Sequence, residues 1–423
     1  MCETRQEVSL VGIGMGSRES MTVEAAEAIR ICDCMVGASR MLCSAREVRR
    51  GQESVPELCE YRTDRILDYI RKHPEYRRIA VLLSGDTGFY SGAKKLSEKL
   101  QEDIKRYEIR LIPGIASVVC LAARLGTTWE DAAVISLHGK EENFVQTVSR
   151  NPRTFLLLGG TDAGTRMLGQ LTDYGLEDVT VHVGSRLSYP DERLISGHPG
   201  GLSTKDVEGL CTAMVVNPRP DRRCGPHLGD EEFIRGNVPM TKEEVRAVSV
   251  AQLRLTEDAV VYDIGAGTGS VSVEAARSGD RIRVYAVEKN PKAVELLEQN
   301  RRKFRADGIR IIRGEAPEAL KDLETPTHVF IGGSSGHLRE ILQTVISRNP
   351  EVRIVVNAIS LETLGEVMDA EGEGLLKDAQ ITQVTAARSR ILGRYHMMTG
   401  QNPVYIVSAG GEEKREAERS AVR

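Results

Sequence analysis

The stretch Ala259-Val260-Val261-Tyr262-Asp263-Ile264-Gly265-Ala266-Gly267-Thr268-Gly269 decides the fold of the second half of this 423-residue chain. A short apolar run stops at closely spaced glycines, and Ser270-Val-Ser-Val-Glu-Ala-Ala-Arg277 resumes at once with helical character. That is a buried strand, a tight loop and a helix. Glycines there let the backbone turn sharply and approach a ligand that side chains would exclude. The helix start adds free N–H groups. NAD sites share much of this pattern, but here an acid precedes the first glycine, which favours S-adenosylmethionine (SAM). Asp263, Gly265, Ala266, Gly267, Thr268 and Gly269 would then be cofactor-binding residues, the N–H groups at the helix start facing the carboxylate end of its methionine moiety.

The neighbouring segments agree. Arg283-Val-Tyr-Ala-Val-Glu288 reads as the next strand, and Glu288 stands where an acid binds ribose hydroxyls. Asn290-Pro291 starts a helix. Gly314-Glu315-Ala316-Pro317 ends a third strand, where a backbone N–H beside Ala316 could read adenine. The plainer alternative, that the glycines only make a tight βα turn, does not account for all three features in order. Thr241 with Glu244 three residues later forms a capping-box pattern, and Thr241 is also a candidate cofactor contact. The fourth strand ends in Phe330-Ile331-Gly332-Gly333-Ser334-Ser335-Gly336, without the Asp/Asn-Pro-Pro-Tyr of amino-group methylases. Gly332 and Gly333 would give a floor for a bulky flat ligand. Asn357, after the fifth strand, is a candidate polar contact or a turn residue. This half is a doubly wound, Rossmann-like α/β domain.

The first half also alternates strands and helices. Ser9–Gly14, Arg78–Asp86, a strand into Pro113-Gly114, Arg153–Gly160 and Asp178–Ser188 read as strands, and Thr22 as the start of the first helix. Gly12-x-Gly14-x-Gly16 has no helix directly after it and no acid on a second strand, so it is a poor Rossmann nucleotide site. The expected domains are 1–216, a Pro-, Gly- and charge-rich linker at 217–229, a second domain at 230–411, and a charged, frayed tail at 412–423.

Composition limits the function classes. Net charge is −4 and aromatics are 4% of the chain. Nucleic-acid binders carry a basic patch or a pI above about 9, so none is expected as a partner. No apolar run reaches the roughly eighteen residues of a membrane helix, and the start lacks a signal-peptide pattern. The eight cysteines form no CxxC pair, so no metal site is expected. Cys32 and Cys34 read as small apolar residues near a helix end. The natural setting is a reducing cytoplasm.

Segments from about Asp230 to Ala409, among them Asp263–Ala276, Gly314–Leu320, Phe330–Leu338 and Val355–Leu364, resemble the CbiT family. The resemblance implies methylation of carbon 15 of a precorrin and decarboxylation of the acetate on its ring C. In the first half, Ser84-Gly85-Asp86-Thr87-Gly88-Phe89-Tyr90-Ser91-Gly92, Ile112–Ser117 and Asp131–Gly139 resemble, in order, the tetrapyrrole methylase family and its CbiE branch. That implies two α/β subdomains, methyl transfer to carbon 5, and SAM held largely by backbone in loops at Gly85–Gly88 and Gly114–Ser117. Gly12, Gly14, Gly85, Asp86, Thr87, Tyr90 and Ser117 carry over as cofactor-site residues, and His138 is a candidate substrate contact. Thr87 stands where the family often has proline, and Ala116 where it has serine; both put side-chain contacts there in doubt.

The resemblance implies one SAM site per half and a tetrapyrrole substrate, metal-free or cobalt-loaded. Its several carboxylates call for arginines. Arg388, Arg390 and Arg394 cluster beside Tyr395 and His396. Asp86, Asn357 and Arg394 are the candidate catalytic residues, with a solvated charged loop as the alternative for the arginines. A homo-oligomer is expected. The competing readings are an RNA methyltransferase, and a methylase in which one half is a degenerate SAM-binding module.

Overall fold

The protein is described here by a computed structural model covering residues 5–137, 143–160 and 162–411. His138 and the tail at 412–423 lie outside the described residues. The chain forms two compact units. The first comprises Met1–Glu141, Pro152–Gly169 and Glu177–Pro218; the second comprises Glu142–Asn151, Gln170–Leu176 and Arg219–Arg423.

In the first unit, β1 (Gln6–Gly12), β2 (Cys34–Gly37), β3 (Glu57–Cys59), β4 (Arg78–Leu83) and β5 (Tyr107–Ile112) form a parallel sheet in the order β3-β2-β4-β1-β5. β1 and β4 are buried almost throughout because helices cover both faces of a parallel sheet. Thr22 caps the first helix, its hydroxyl accepting from Ala25 N. Cys32 and Cys34 are core residues, and burial pushes both thiols up to about 11. A second sheet runs β6-β7-β10-β8-β9, from β6 (Ala133–Ser136), β7 (Arg153–Leu157), β8 (Thr180–Ser185), β9 (Arg193–Gly197) and β10 (Cys211–Val216). It is antiparallel except where β6 meets β7.

The second unit is built on β11 (Val260–Ile264), β12 (Arg283–Glu288), β13 (Ile309–Arg313), β14 (His328–Ile331), β15 (Arg353–Ala358), β16 (Gln380–Val384), β17 (Ala387–Leu392), β18 (Tyr395–Gly400) and β19 (Val404–Ala409). Seven of these form one sheet, β13-β12-β11-β14-β15-β19-β16. It is parallel from β13 to β15 and antiparallel at β19 and β16. β11, β14 and β15 are buried along their whole length. The strand order reverses at β11, so a crevice opens between the loops after β11 and β14. β17 and β18 pair as a separate exposed hairpin.

One local feature differs from the sequence reading. Residues 142–151 belong to the second unit, where the helix Phe144–Arg150 is buried and the Val145 and Gln146 N–H groups donate to Asp307 at 2.8 and 3.1 Å. Much of the expected linker also packs there: Leu228 is buried, and Asp221 accepts from the Arg277 guanidinium at 2.9 Å. Among the described residues no helix is long and apolar enough to cross a membrane.

Candidate active sites

In the second unit the crevice is a cavity of about 690 Å³. The loop after β11 makes its floor, and its shape depends on two glycines. Gly265 has φ +73°, and a Cβ there would stand 2.7 Å from Gly333 O and 2.9 Å from Gly333 N. Gly332 N donates to Ile264 O at 2.9 Å, so the two strand ends are sewn together just below the cavity. A Cβ on Gly333 would meet nothing, because this residue faces the open space. Gly269, at φ +79°, leaves room for Leu297 and starts the helix Ser270–Arg277.

Glu288 stands at the end of β12 and lines the cavity. Its Oε2 accepts from Gly267 N and its Oε1 from Asn290 N, both at 2.8 Å. Each carboxylate oxygen keeps a lone pair for a further donor. Asn290 caps the following helix through Lys292 N, with Pro291 in the first turn. Thr268 is buried, its hydroxyl has no hydrogen-bond partner, and it lines the cavity. Thr241, Gly265, Ala266, Gly267, Ala316, Gly332, Gly333 and Asn357 line it too. Asn357 Oδ1 accepts from Ser249 Oγ at 3.0 Å, which fixes the amide. A glycine cradle, an orphaned hydroxyl and an acid with spare acceptor capacity fit the methionine and ribose parts of SAM.

Other expected residues lie elsewhere. Asp263 does not line the cavity. It is fully buried, accepts from the Ser272 hydroxyl, and its Oδ1 has no partner. Burial pushes its carboxyl up to about 7. The folded state therefore holds a proton that the unfolded chain gives up near pH 4. Folded stability from this group is present at low pH and is lost as pH rises from about 4 towards 7. Asp263→Asn is expected to flatten that decline in urea-unfolding midpoints and to be the more stable protein at pH 8. An unaltered pH profile would show the carboxyl is ionised in the fold.

The expected capping box is not formed. Lys242 is the N-cap of the helix Glu243–Leu253, and no side chain caps it. Glu244 is taken instead by Arg388 on the hairpin, Nε to Oε1 at 2.6 Å. Arg388 also reaches Asp230 at 3.1 Å and Glu243 at 3.3 Å, so its charge is spent on the protein itself. Arg394 lies on the loop between β17 and β18, bonded to Tyr395 Oη at 2.8 Å, and it does not line the cavity. Nor do Arg390 and His396. The hairpin contributes Gly400 at its base, followed by Gln401 and Asn402, none of which the sequence reading singled out.

In the first unit three loops converge at the ends of β1, β4 and β5. Gly14 and Gly85 exchange backbone hydrogen bonds at 3.1 and 2.9 Å. A Cβ on Gly12 would stand 2.8 Å from both Gly114 N and Gly85 O. Asp86 ties the loops together, Oδ1 accepting from Gly88 N at 2.8 Å and Oδ2 from Gly114 N at 3.1 Å. Beside them is a cavity of about 390 Å³ lined by Gly85, Tyr90 and Ser117 of the expected set. Gly12, Gly14, Asp86 and Thr87 do not line it; the first three shape the loops that do. Sequence reasoning missed Met15, Arg40, Ser84, Phe89, Ser136 and Thr212 on its walls.

Comparison with known proteins adds to this geometry. Residues 232–409 match the family model described as the precorrin methyltransferase domain, and residues 7–202 match that of tetrapyrrole (corrin/porphyrin) methylases. A Pyrobaculum calidifontis protein described as a probable cobalt-precorrin-6B C(15)-methyltransferase (decarboxylating) is 43% identical over 187 residues, 44% of this chain and 95% of the relative. The Salmonella typhimurium cobalt-precorrin-6B C(15)-methyltransferase (decarboxylating) is 37% identical over 188 residues, 44% of this chain and 97% of the relative. The crystal structure of a precorrin-6Y C5,15-methyltransferase from Geobacter metallireducens is 39% identical, covering 43% of this chain and 97% of that one, with a TM-score of 0.41.

Proposed function

Because this chain belongs to the precorrin methyltransferase family, with a tetrapyrrole methylase half joined to it, we propose that it methylates a precorrin-6-type tetrapyrrole twice. The second unit adds a methyl at carbon 15 and removes the ring C acetate carboxyl as CO2. The first unit adds a methyl at carbon 5. SAM, one molecule per unit, supplies an electrophilic methyl group on a sulfonium centre.

The observation that carries this reading is the second-unit cavity, with its Gly265–Gly333 cradle, the spare acceptor capacity of Glu288 and the unpartnered Thr268 hydroxyl. Thr268 would hold the methionine end, Glu288 the ribose hydroxyls, and the backbone at Ala316 the adenine. Gly332 and Gly333 leave a side-chain-free wall on which a flat macrocycle can lie, and Asn357 offers it a fixed amide.

The accepting carbon of a partly reduced tetrapyrrole is already an enamine-like nucleophile, so these residues need not supply a strong base. They orient the carbon and exclude water, and such orientation contributes about 7–11 kcal/mol to lowering a barrier. For CO2 loss the conjugated ring accepts the electron pair of the breaking bond. The walls have only to hold the acetate arm so that this bond overlaps the ring π-system.

The test is to incubate the full chain with SAM and either metal-free or cobalt-loaded precorrin-6 and to follow product mass. The expected product has gained two methyl groups and lost one CO2. Unchanged mass with both substrates would overturn the reading.

A further inference from the structure

The third glycine of Gly12-x-Gly14-x-Gly16 has no part in the loop convergence that explains the other two. Gly16 sits at φ +105°, and a Cβ there would stand 2.5 Å from Tyr189 Oη and 3.2 Å from Ser44 Oγ. Its missing side chain makes room for the Tyr189 ring. Tyr189 in turn holds a cation: Arg40 Nη1 donates to Tyr189 Oη at 2.9 Å, and Arg40 Nη2 donates to Ser84 Oγ at 3.0 Å.

Arg40 lines the first-unit cavity, and among the described residues on its wall it alone carries a charge. Its neighbours there include Met15, Met41 and Phe89. Both of its hydrogen-bond partners are neutral hydroxyls. Arg46, on the same helix (Ser39–Val48), shows the contrasting use, since it is satisfied by the Glu57 carboxylate at 2.6 Å. A guanidinium held in place by two hydroxyl oxygens, with N–H donors to spare and no carboxylate partner among the described residues, is suited to bind an anion.

The geometry points to Arg40 as the residue that binds a carboxylate side chain of the tetrapyrrole in the first unit, with Tyr189 as its positioning residue and Gly16 as the space that admits Tyr189. The inference rests on the proposed function and deepens it. Ser84 directly precedes Gly85, so the anchor is fixed to the loop that the tetrapyrrole methylase resemblance assigns to SAM. SAM has one carboxylate, and the tetrapyrrole methylase resemblance implies that SAM is held largely by backbone. The tetrapyrrole has several and needs cations. A planar fork matches a carboxylate bidentately.

The full-length Arg40→Ala, Arg40→Lys and Tyr189→Phe proteins test this, with carbon-5 methylation followed separately from methyl gain coupled to CO2 loss. Arg40→Ala is expected to raise the KM for precorrin-6 in carbon-5 methylation about 10- to 100-fold, the range for losing a hydrogen bond to a charged group. The KM for SAM in carbon-5 methylation should stay at its parent value, which serves as the folding control for the first unit. Arg40→Lys should recover part of the loss, and Tyr189→Phe should raise the same KM by a smaller factor with little change in kcat. A rise in the KM for SAM instead would assign Arg40 to the cofactor and overturn the proposal. So would an unchanged precorrin-6 KM. Failure of the parent protein to methylate at all would defeat the proposed function itself, a different result.

Discussion

Gly265→Ala is expected to abolish CO2 loss and its coupled methylation, and to weaken S-adenosylhomocysteine binding at the proposed second-unit site by about 100-fold or more, the scale of a severe backbone lesion at a special φ/ψ. Two physical penalties act together. Left-handed backbone costs an alanine about 1–2 kcal/mol, and Gly265 sits at φ +73°. The new Cβ would also stand 2.7 Å from the Gly333 carbonyl oxygen, a backbone atom with no rotamer to escape into. The loops after β11 and β14 must then part, and the cavity is built from both. Gly333→Ala is the control, since its Cβ meets nothing within 4 Å. It should melt like the parent yet impair the tetrapyrrole reaction, because the methyl projects into the cavity. Isothermal titration of Gly265→Ala showing S-adenosylhomocysteine binding at parent affinity and stoichiometry would dissociate the glycine cradle from ligand binding.

The elements legible in the sequence are those whose cause is local. The turn at Gly265–Gly269, the acid at Glu288 and the Asn290-Pro291 helix start each depend on residues a few positions apart, and each stands where the pattern puts it. The capping box shows the limit. Thr241 and Glu244 satisfy the pattern, but Arg388, distant by 144 residues, claims Glu244, and the helix begins uncapped by any side chain. The same long-range pairing removes Arg388 from the substrate arginines. Arg40 was invisible for the complementary reason. Nothing near it in sequence marks it, and its partners Ser84 and Tyr189 are separated from it by 44 and 149 residues. Resemblance gave the first-unit loops, yet it could not separate the residues that shape a loop, such as Asp86, from those that face the cavity, such as Ser117.

Arg246→Met is expected to lower the stability of the second unit by about 3–5 kcal/mol, the range for removing one partner of a buried ion pair. Helical periodicity gives no hint of this residue, which is completely buried. Its Nε donates to Glu274 Oε1 at 2.6 Å and its Nη1 to Asp230 Oδ1 at 3.1 Å, while the guanidinium stacks 4.7 Å from the Phe233 ring. The same fork donates to two backbone carbonyls, Leu228 and Thr241, the latter at 2.8 Å. Arg246 therefore joins the segment entering the domain, the helix after the glycine loop and the residue beside the cavity at one point. Methionine fills much of the volume but leaves Glu274 buried without its cation. At about 2–4 °C per kcal/mol for a domain of this size, the melting transition should fall by roughly 6–20 °C. S-adenosylhomocysteine affinity should fall with it, because Thr241 loses its tether. Adding Glu274→Gln removes the stranded charge while keeping an acceptor for Leu228 N, which now bonds Glu274 at 3.1 Å. The double variant should thus recover part of the lost stability. If Arg246→Met alone melts within about 1 °C of the parent, far inside the predicted fall, the network is not what joins these segments. If the double variant is less stable than the single, the loss comes from packing around Phe233 and not from an uncompensated charge.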